Sequence, residues 1–249
     1  MIKIEKFVKQ KDGNYKLKLE NNSELIVHED LILKYELLIT KNLDQKRIET
    51  IKEEQKTYDV YNVALKYIKV KIRSIKEIKL YLEKKQYNTN QINHARELLK
   101  KQGYLNDELY TKALVHDRMN LSNDGPLKIK TELEKNDIKE EIINKYLVEF
   151  TEELEIERIE KLVKKQISQN HNKSNNMMKK KIEMNLINLG YHKLLVNEVL
   201  SNTNIEDKDI YKKEYEKLEK KLSRKYQGKE LELKIKQKLY QKGFKNIEE

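Results

Sequence analysis

The 249-residue chain has no cysteine and no tryptophan, one proline and six glycines. Without cysteine, disulfides, thiolate catalysis and cysteine-based zinc sites are excluded. No apolar run is long enough to span a bilayer, and the N-terminal Met-Ile-Lys-Ile-Glu lacks a signal-peptide layout. A cytoplasmic protein is predicted. The five histidines, His28, His94, His116, His171 and His192, are scattered and form no His-x3-His pair. There is no Gly-rich phosphate loop and no Gly-x-Ser-x-Gly elbow. No catalytic constellation and no cofactor site is legible, so the expectation is a non-enzymatic protein.

What the chain has in abundance is charge. Charged residues make up 38% of it, and the formal net charge is +11. That balance invites a polyanion partner. A sequence crowded with Lys, Asn, Ile and Tyr also carries the bias of AT-rich coding DNA, so the clustering of charge says more than its sum.

Helical periodicity dominates. Ser74 and Glu77 form a capping box, and Ile78, Leu82 and Tyr87 follow on one face. The same Ile-x3-Leu-x4 pattern recurs at Ile129, Leu133 and Ile138, at Ile182, Leu186 and Tyr191, and at Ile235, Leu239 and Phe244. Offsets of 51, 53 and 53 residues mark a helical repeat. A mainly α protein is predicted, with tandem three-helix repeats forming an elongated curved array. Its repeats occupy 59–106, 107–152, 153–206 and 207–249, the last without a third helix. Leu109, Ala113 and Leu114 mark the first helix of the second repeat.

Residues 1–58 read differently. Ile2–Glu5, Tyr15–Leu19 and Glu24–His28 alternate apolar and polar residues, with turns at Asp12-Gly13-Asn14 and Asn21-Asn22-Ser23. They predict a small antiparallel β meander, covered by a helix beginning at Leu31. A polar connecting helix over 44–55 follows, and the first repeat opens near Asp59.

Two basic clusters stand out. Lys66, Lys69, Lys71, Arg73, Lys76 and Lys79 cross the first helix junction, with Tyr67 and Tyr81 placed to pack inward or to stack on a base. The cap at Ser74 bends the chain, so a phosphate is expected between the two helix segments, with the N–H groups after Ser74 as further donors. Lys173, Lys179, Lys180 and Lys181 form the second cluster, beside a polar loop over 168–176. A solvated face in a lysine-rich chain is the competing reading for both. Over Lys212–Lys225 the interspersed Glu214, Glu216 and Glu219 favour that solvated face.

Three segments carry a resemblance to a known family: Lys71-Ile-Arg73-Ser74 with Glu77 and Ile78, then Gln102-Gly-Tyr-Leu-Asn-Asp-Glu108, then Gly125-Pro126 through Glu132-Leu133 to Ile138. In order and spacing they resemble the RecX family of bacterial recombination regulators over residues 59–150, and the repeat phase extends the likeness to the end. The strands before the repeats resemble longer Gram-positive members. Gln86 and Asp137 stand where the family usually has helix-ending glycines, Lys71 replaces an arginine and Asn106 an aspartate. The resemblance implies a non-enzymatic protein that binds the RecA–DNA filament and modulates its ATPase and strand exchange, usually by inhibition. A monomer that touches single-stranded DNA weakly and salt-sensitively is expected. A general single-stranded nucleic-acid binder and a protein-binding scaffold are the alternatives.

Overall fold

Three strands open the chain: β1 (Ile2–Lys9), β2 (Asn14–Leu19) and β3 (Glu24–His28). A two-residue strand, β4 (Asn42–Leu43), joins β1 on its free edge, giving an antiparallel sheet of order β3-β2-β1-β4. Alternation decides the faces. Leu17, Leu19, Leu25 and Val27 point inward, while Lys16, Lys18, Glu24 and Ile26 point out. The covering helix α1 (Glu29–Lys34) begins two residues before the expected Leu31 and stays short, because the chain turns at Glu36 in the left-handed region.

The computed structural model describes residues 1–11, 13–169, 174–203 and 207–244, without the side chains of 207–210. Asp12, four of the nine residues of the 168–176 loop (170–173, with His171 and Lys173 among them) and the side chains at the start of the fourth repeat therefore lie outside it. The chain divides into two compact units, Met1–Ala113 and Leu114–Glu249.

In the first unit a single helix serves two cores. The connecting helix over 44–55 and the helix expected from Asp59 are one element, α2 (Gln45–Val70), capped by Asp44. No glycine or proline interrupts residues 56–59, and the Gln55 amide bonds Asp59 one turn on, at 2.9 Å. Ile48 and Ile51 pack against the sheet. Val60, Tyr61 and Ala64 pack instead with α3 (Ile75–Lys84) and α4 (Thr89–Lys101).

His28 joins sheet to helix. It is buried, its ring stacks on Tyr58 with centroids 4.4 Å apart, and Nδ1 accepts the Asp30 N–H. Burial, opposed by the charges of Asp30, Glu29 and Asp59, holds its pKa below the ordinary imidazole value. The unfolded chain, with an imidazole near ~6.5, therefore binds the proton first. Stability of this region should be level above that pH and fall as pH drops below it. Hydrogen exchange of the β2 and β3 amides at neutral and mildly acid pH checks this; protection unchanged on acidification would contradict it.

The second unit contains α6 (Pro126–Lys135), α7 (Glu140–Leu147), α8 (Glu152–Gln169), α9 (Asn175–Asn188), α10 (Lys193–Asn202), α11 (Asp207–Leu222) and α12 (Gly228–Gln241). The helix α5 (Asp107–Leu121) contributes residues to both units. Leu109, Ala113 and Leu114 lie in this helix; its inward positions include Tyr110, Thr111, Leu114 and Val115, and Leu109 is 55% exposed. On α8, Arg158 donates to the carbonyls of Met119 (2.5 Å) and Ser122 (2.7 Å), covering the C-terminal end of α5 with a cation. Buried Glu155 accepts the His192 N–H at 2.7 Å and so holds the start of α10.

The four repeat cores behave alike. Of the twelve Ile, Leu and closing residues, all but the half-buried Tyr87 are buried. Each second helix ends in the same doubly bonded turn, with the closing residue's N–H donating to the leucine carbonyl. The bonds are Tyr87 to Leu82 (3.3 Å), Ile138 to Leu133 (3.2 Å), Tyr191 to Leu186 (3.1 Å) and Phe244 to Leu239 (3.1 Å). The residue before the closing one is left-handed in all four: Gln86 (φ 66°), Asp137 (φ 58°), Gly190 (φ 89°) and Gly243 (φ 86°). The turn geometry is the same whether glycine or a side-chain-bearing residue stands there, with strain at Gln86 and Asp137. Gln86→Gly should therefore stabilise the protein by up to about 1 kcal/mol, since the left-handed cost of ~1–2 kcal/mol is offset by added chain entropy. Urea unfolding reads the difference, and a lower midpoint would contradict it.

Within the second unit these turns also join helices end to end. The Gly125 N–H donates to Leu189 O (2.7 Å) and Leu127 N–H to Gly190 O (3.0 Å), seating the start of α6 on the end of α9. One repeat later, the Ser174 N–H donates to Lys242 O (3.1 Å), seating α9 on α12. Positive helix starts thus meet negative helix ends.

Candidate functional site

The first basic cluster surrounds the chain between α2 and α3. Ser74 caps α3, its Oγ accepting the Glu77 N–H at 3.0 Å while Glu77 Oε2 accepts the Ser74 N–H at 3.0 Å. The other Glu77 oxygen accepts from Arg73 Nη1 at 3.2 Å, and Asp107 Oδ1 accepts the Ile75 N–H at 3.1 Å. The N–H groups of Ile75 and Glu77 are thereby consumed inside the protein. This corrects the expectation that N–H groups after Ser74 serve a phosphate.

Arg73 is likewise drawn inward, with only 17% of its side chain exposed. Its guanidinium lies 4.1 Å from the Tyr67 ring centroid, and Tyr67 stacks on Tyr81 at 3.9 Å with an interplanar angle of 10°. Tyr67 is covered on both faces, and Lys85 approaches the Tyr81 ring at 5.8 Å. The inward alternative for these tyrosines is the one realised. Arg73→Ala would remove a cation–π contact and a charge-assisted bond from a part-buried site.

Lys66, Lys69, Lys71 and Lys79 are exposed, and Lys76 is half-buried. Lys79 pairs with Glu83 at 3.7 Å. Between the lysines, Val70 and Ile72 are exposed at 81% and 51%, so the outer surface mixes cations with aliphatic side chains.

The second cluster lies on α9. Met178, Ile182 and Leu186 fill the inner face, leaving Lys180 and Lys181 exposed between Met177 and Met184, with Lys179 half-buried. Again lysines alternate with apolar groups. Charge is unevenly shared along the chain: residues 59–106 carry eleven basic and four acidic side chains, residues 107–152 seven and eleven.

Among the described residues no group of His, Asp and Glu is arranged to hold a metal ion, and no helix is long and apolar enough to cross a membrane. Two surface depressions, of about 470 and 340 Å³, are lined by Lys139, Glu140, Glu141 and Asn144 and by α8 and α10 side chains that include Ile156, Glu160 and Glu198. Neither assembles a nucleophile with a base.

The other family-like segments act as scaffold. Asn106 Oδ1 caps α5 by accepting from Glu108 N–H (2.8 Å) and Leu109 N–H (3.2 Å), as an aspartate would. Arg118 grips Glu132 with two bonds, at 3.0 and 2.9 Å. The Arg158 and Glu155 contacts were not legible in the sequence, because their partners, backbone groups together with Tyr191 and His192, lie far along the chain and leave no local pattern.

Comparison with known proteins fits this frame. The family model described as RecX, second three-helix domain, matches residues 106–147. The regulatory protein RecX of Streptococcus uberis is 32% identical over 98% of this chain and 95% of its own length. That of Halalkalibacterium halodurans is 28% identical over 95% and 92%. A crystal structure of regulatory protein RecX, 24% identical, superposes with a TM-score of 0.70 over 82% of this chain and 100% of its own. RecX from Lactobacillus salivarius gives 0.54 at 25% identity, over 60% of this chain and 97% of its own. With relatives matched from end to end, and the same helical architecture in solved structures, the chain belongs to the RecX family of regulatory proteins.

Proposed function

We propose that this protein regulates a RecA-type recombinase in the cytoplasm, without enzymatic activity of its own, by binding the recombinase–DNA filament as a monomer and restraining its ATPase and strand exchange. The observation that carries this reading is the end-to-end likeness to regulatory proteins of one family. The character of the surface supports it. Exposed Val70 and Ile72 amid Lys69 and Lys71, and Met177 and Met184 around Lys180 and Lys181, suit a partner offering both a protein face and phosphates.

In this reading Lys66, Lys69, Lys71, Lys76, Lys79, Lys179, Lys180 and Lys181 are the contact residues. Arg73 acts from behind, fixing the junction. Co-sedimentation with recombinase filaments on single-stranded DNA, against protein-free DNA at equal salt, tests it. Retention on filaments at salt that strips the protein from bare DNA is expected; equal release from both would favour a general single-strand binder.

The double variant Lys69→Ala/Lys71→Ala separates these roles from stability. It should leave the unfolding midpoint nearly unchanged. If both lysines touch phosphates, the log–log salt slope for single-stranded DNA should lose about 1.4, at ~0.7 per contact. Arg73→Ala should instead lower stability by about 1–3 kcal/mol. An unchanged slope in the folded double variant would make these lysines a solvated face.

A further inference from the structure

The ten residues from Lys220 to Lys229, Lys-Lys-Leu-Ser-Arg-Lys-Tyr-Gln-Gly-Lys, contain five basic side chains and no acidic one. With 53 basic and 42 acidic residues in 249, about two of each would be average for such a stretch. They form the last turn of α11, the connection, and the first turn of α12. Lys220, Lys221, Arg224, Lys225 and Lys229 are all exposed. The nearest ion pairs, Lys217–Glu214 and Lys236–Glu232, leave Lys220, Lys221, Arg224 and Lys225 without an ion pair among the described residues, while Lys229 also feels the charge of Glu232. A sixth cation sits beside them, since Lys234 Nζ lies 5.9 Å from the ring centroid of half-buried Tyr226.

Helix stability does not account for this charge. Lysines at 220 and 221 complement the negative end of α11, but Arg224 and Lys225 lie past that end, and Lys229 sits at the positive start of α12, where a cation is unfavourable. The corresponding connection of the second repeat, Leu121–Gly125, shows a neutralised arrangement. There Asp124 pairs with Lys128 at 2.6 Å and lies 3.8 Å from Arg118. Between Lys220 and Lys225 the α11–α12 connection has no such counter-charge among the described residues.

We propose that the α11–α12 connection is a binding site for the phosphodiester backbone of a nucleic-acid strand. Lys221, Arg224 and Lys225 are its central contacts, and Lys220 and Lys229 flank them. A phosphate row supplies the missing counter-charge, and release of its condensed cations drives association. An acidic protein surface fits less well. No large apolar side chain is exposed between 220 and 229 to anchor one, whereas cations beside a tyrosine are the usual lining of a strand-tracking groove. The site uses none of the lysines of the first repeat and does not depend on the recombinase reading.

The test is fluorescence anisotropy of the full chain with labelled oligothymidine of about 30 nucleotides, over a salt series, for wild type and Lys221→Ala/Arg224→Ala/Lys225→Ala. The triple variant should unfold at the wild-type midpoint and bind on the order of a hundred-fold more weakly at 50 mM salt, its log–log slope smaller by about 2. The single change Arg224→Ala should remove about 0.7 of slope, and serves if the triple variant folds poorly. A duplex of the same length distinguishes the source: preferential loss on one form identifies the natural strand state. Wild-type affinity and slope in either folded variant would overturn the site. So would failure of the wild type to bind either nucleic acid at low salt, or an equal loss of affinity for polyglutamate.

Discussion

Truncating Leu82 or Leu133 to alanine is expected to lower stability by roughly 2–5 kcal/mol, the range for a fully buried leucine whose cavity does not collapse. Both side chains have no solvent exposure. Each also supplies the carbonyl that closes its second helix, so shifting its backbone would loosen the turn at Gln86 or Asp137 as well. Because a repeat mainly packs within itself and on its neighbours, lost hydrogen-exchange protection should concentrate around the altered repeat. Loss of protection spread evenly over all four repeats would contradict separate repeat cores.

A comparable effect is expected from one methyl group at Gly190. A Cβ there would lie 2.4 Å from Lys128 N and 2.5 Å from Lys128 Cβ, at a φ of +89°. An alanine must push α6 away from the end of α9, stretching the bond from Leu127 N–H to Gly190 O. Left-handed alanine costs ~1–2 kcal/mol and overpacking a further ~1–3 kcal/mol, so Gly190→Ala should lose about 2–5 kcal/mol in urea unfolding. Gly103 is the internal control. Its φ is +76° but no atom lies within 4 Å of an added Cβ, so Gly103→Ala should lose only the backbone share. Equal losses at the two positions would show that the close approach of α6 and α9 contributes nothing.

The contrast between these glycines shows what was legible in the sequence. The Ile-x3-Leu-x4 spacing located twelve inward positions, eleven of them buried, since burial along one helix face is a local, periodic property. Strand alternation likewise located β1, β2 and β3. The short β4 was not legible, because two residues carry no period. The division of α2 at residues 55–59 failed because a change of packing partner along one helix leaves no break in its backbone pattern. Apolar character at Leu109 marked its helix, while the buried face was decided by Tyr110, Thr111 and Leu114.

At the candidate site the lysines were legible and their division of labour was not. Arg73 reads like its lysine neighbours in sequence, yet Glu77 and Tyr67 remove it from the outer surface. Much of what makes the family recognisable is capping chemistry. Ser74, Glu77, Asn106 and Asp107 fix helix starts, and Arg118 with Glu132 ties α5 to α6. Such residues reveal kinship and fold. The partner must be read from what they leave outside, namely lysines among exposed valine, isoleucine and methionine.

That partner is the central claim, and the rate of ATP hydrolysis by the host's RecA-type recombinase on single-stranded DNA tests it most directly. The recombinase is assembled on the strand at saturation, so that competition for bare DNA cannot lower the rate, and this protein is then added. A regulator acting on the filament should reduce hydrolysis progressively, at concentrations well below those needed to coat the DNA. A rate unchanged up to concentrations that saturate single-stranded DNA with this protein would contradict the account.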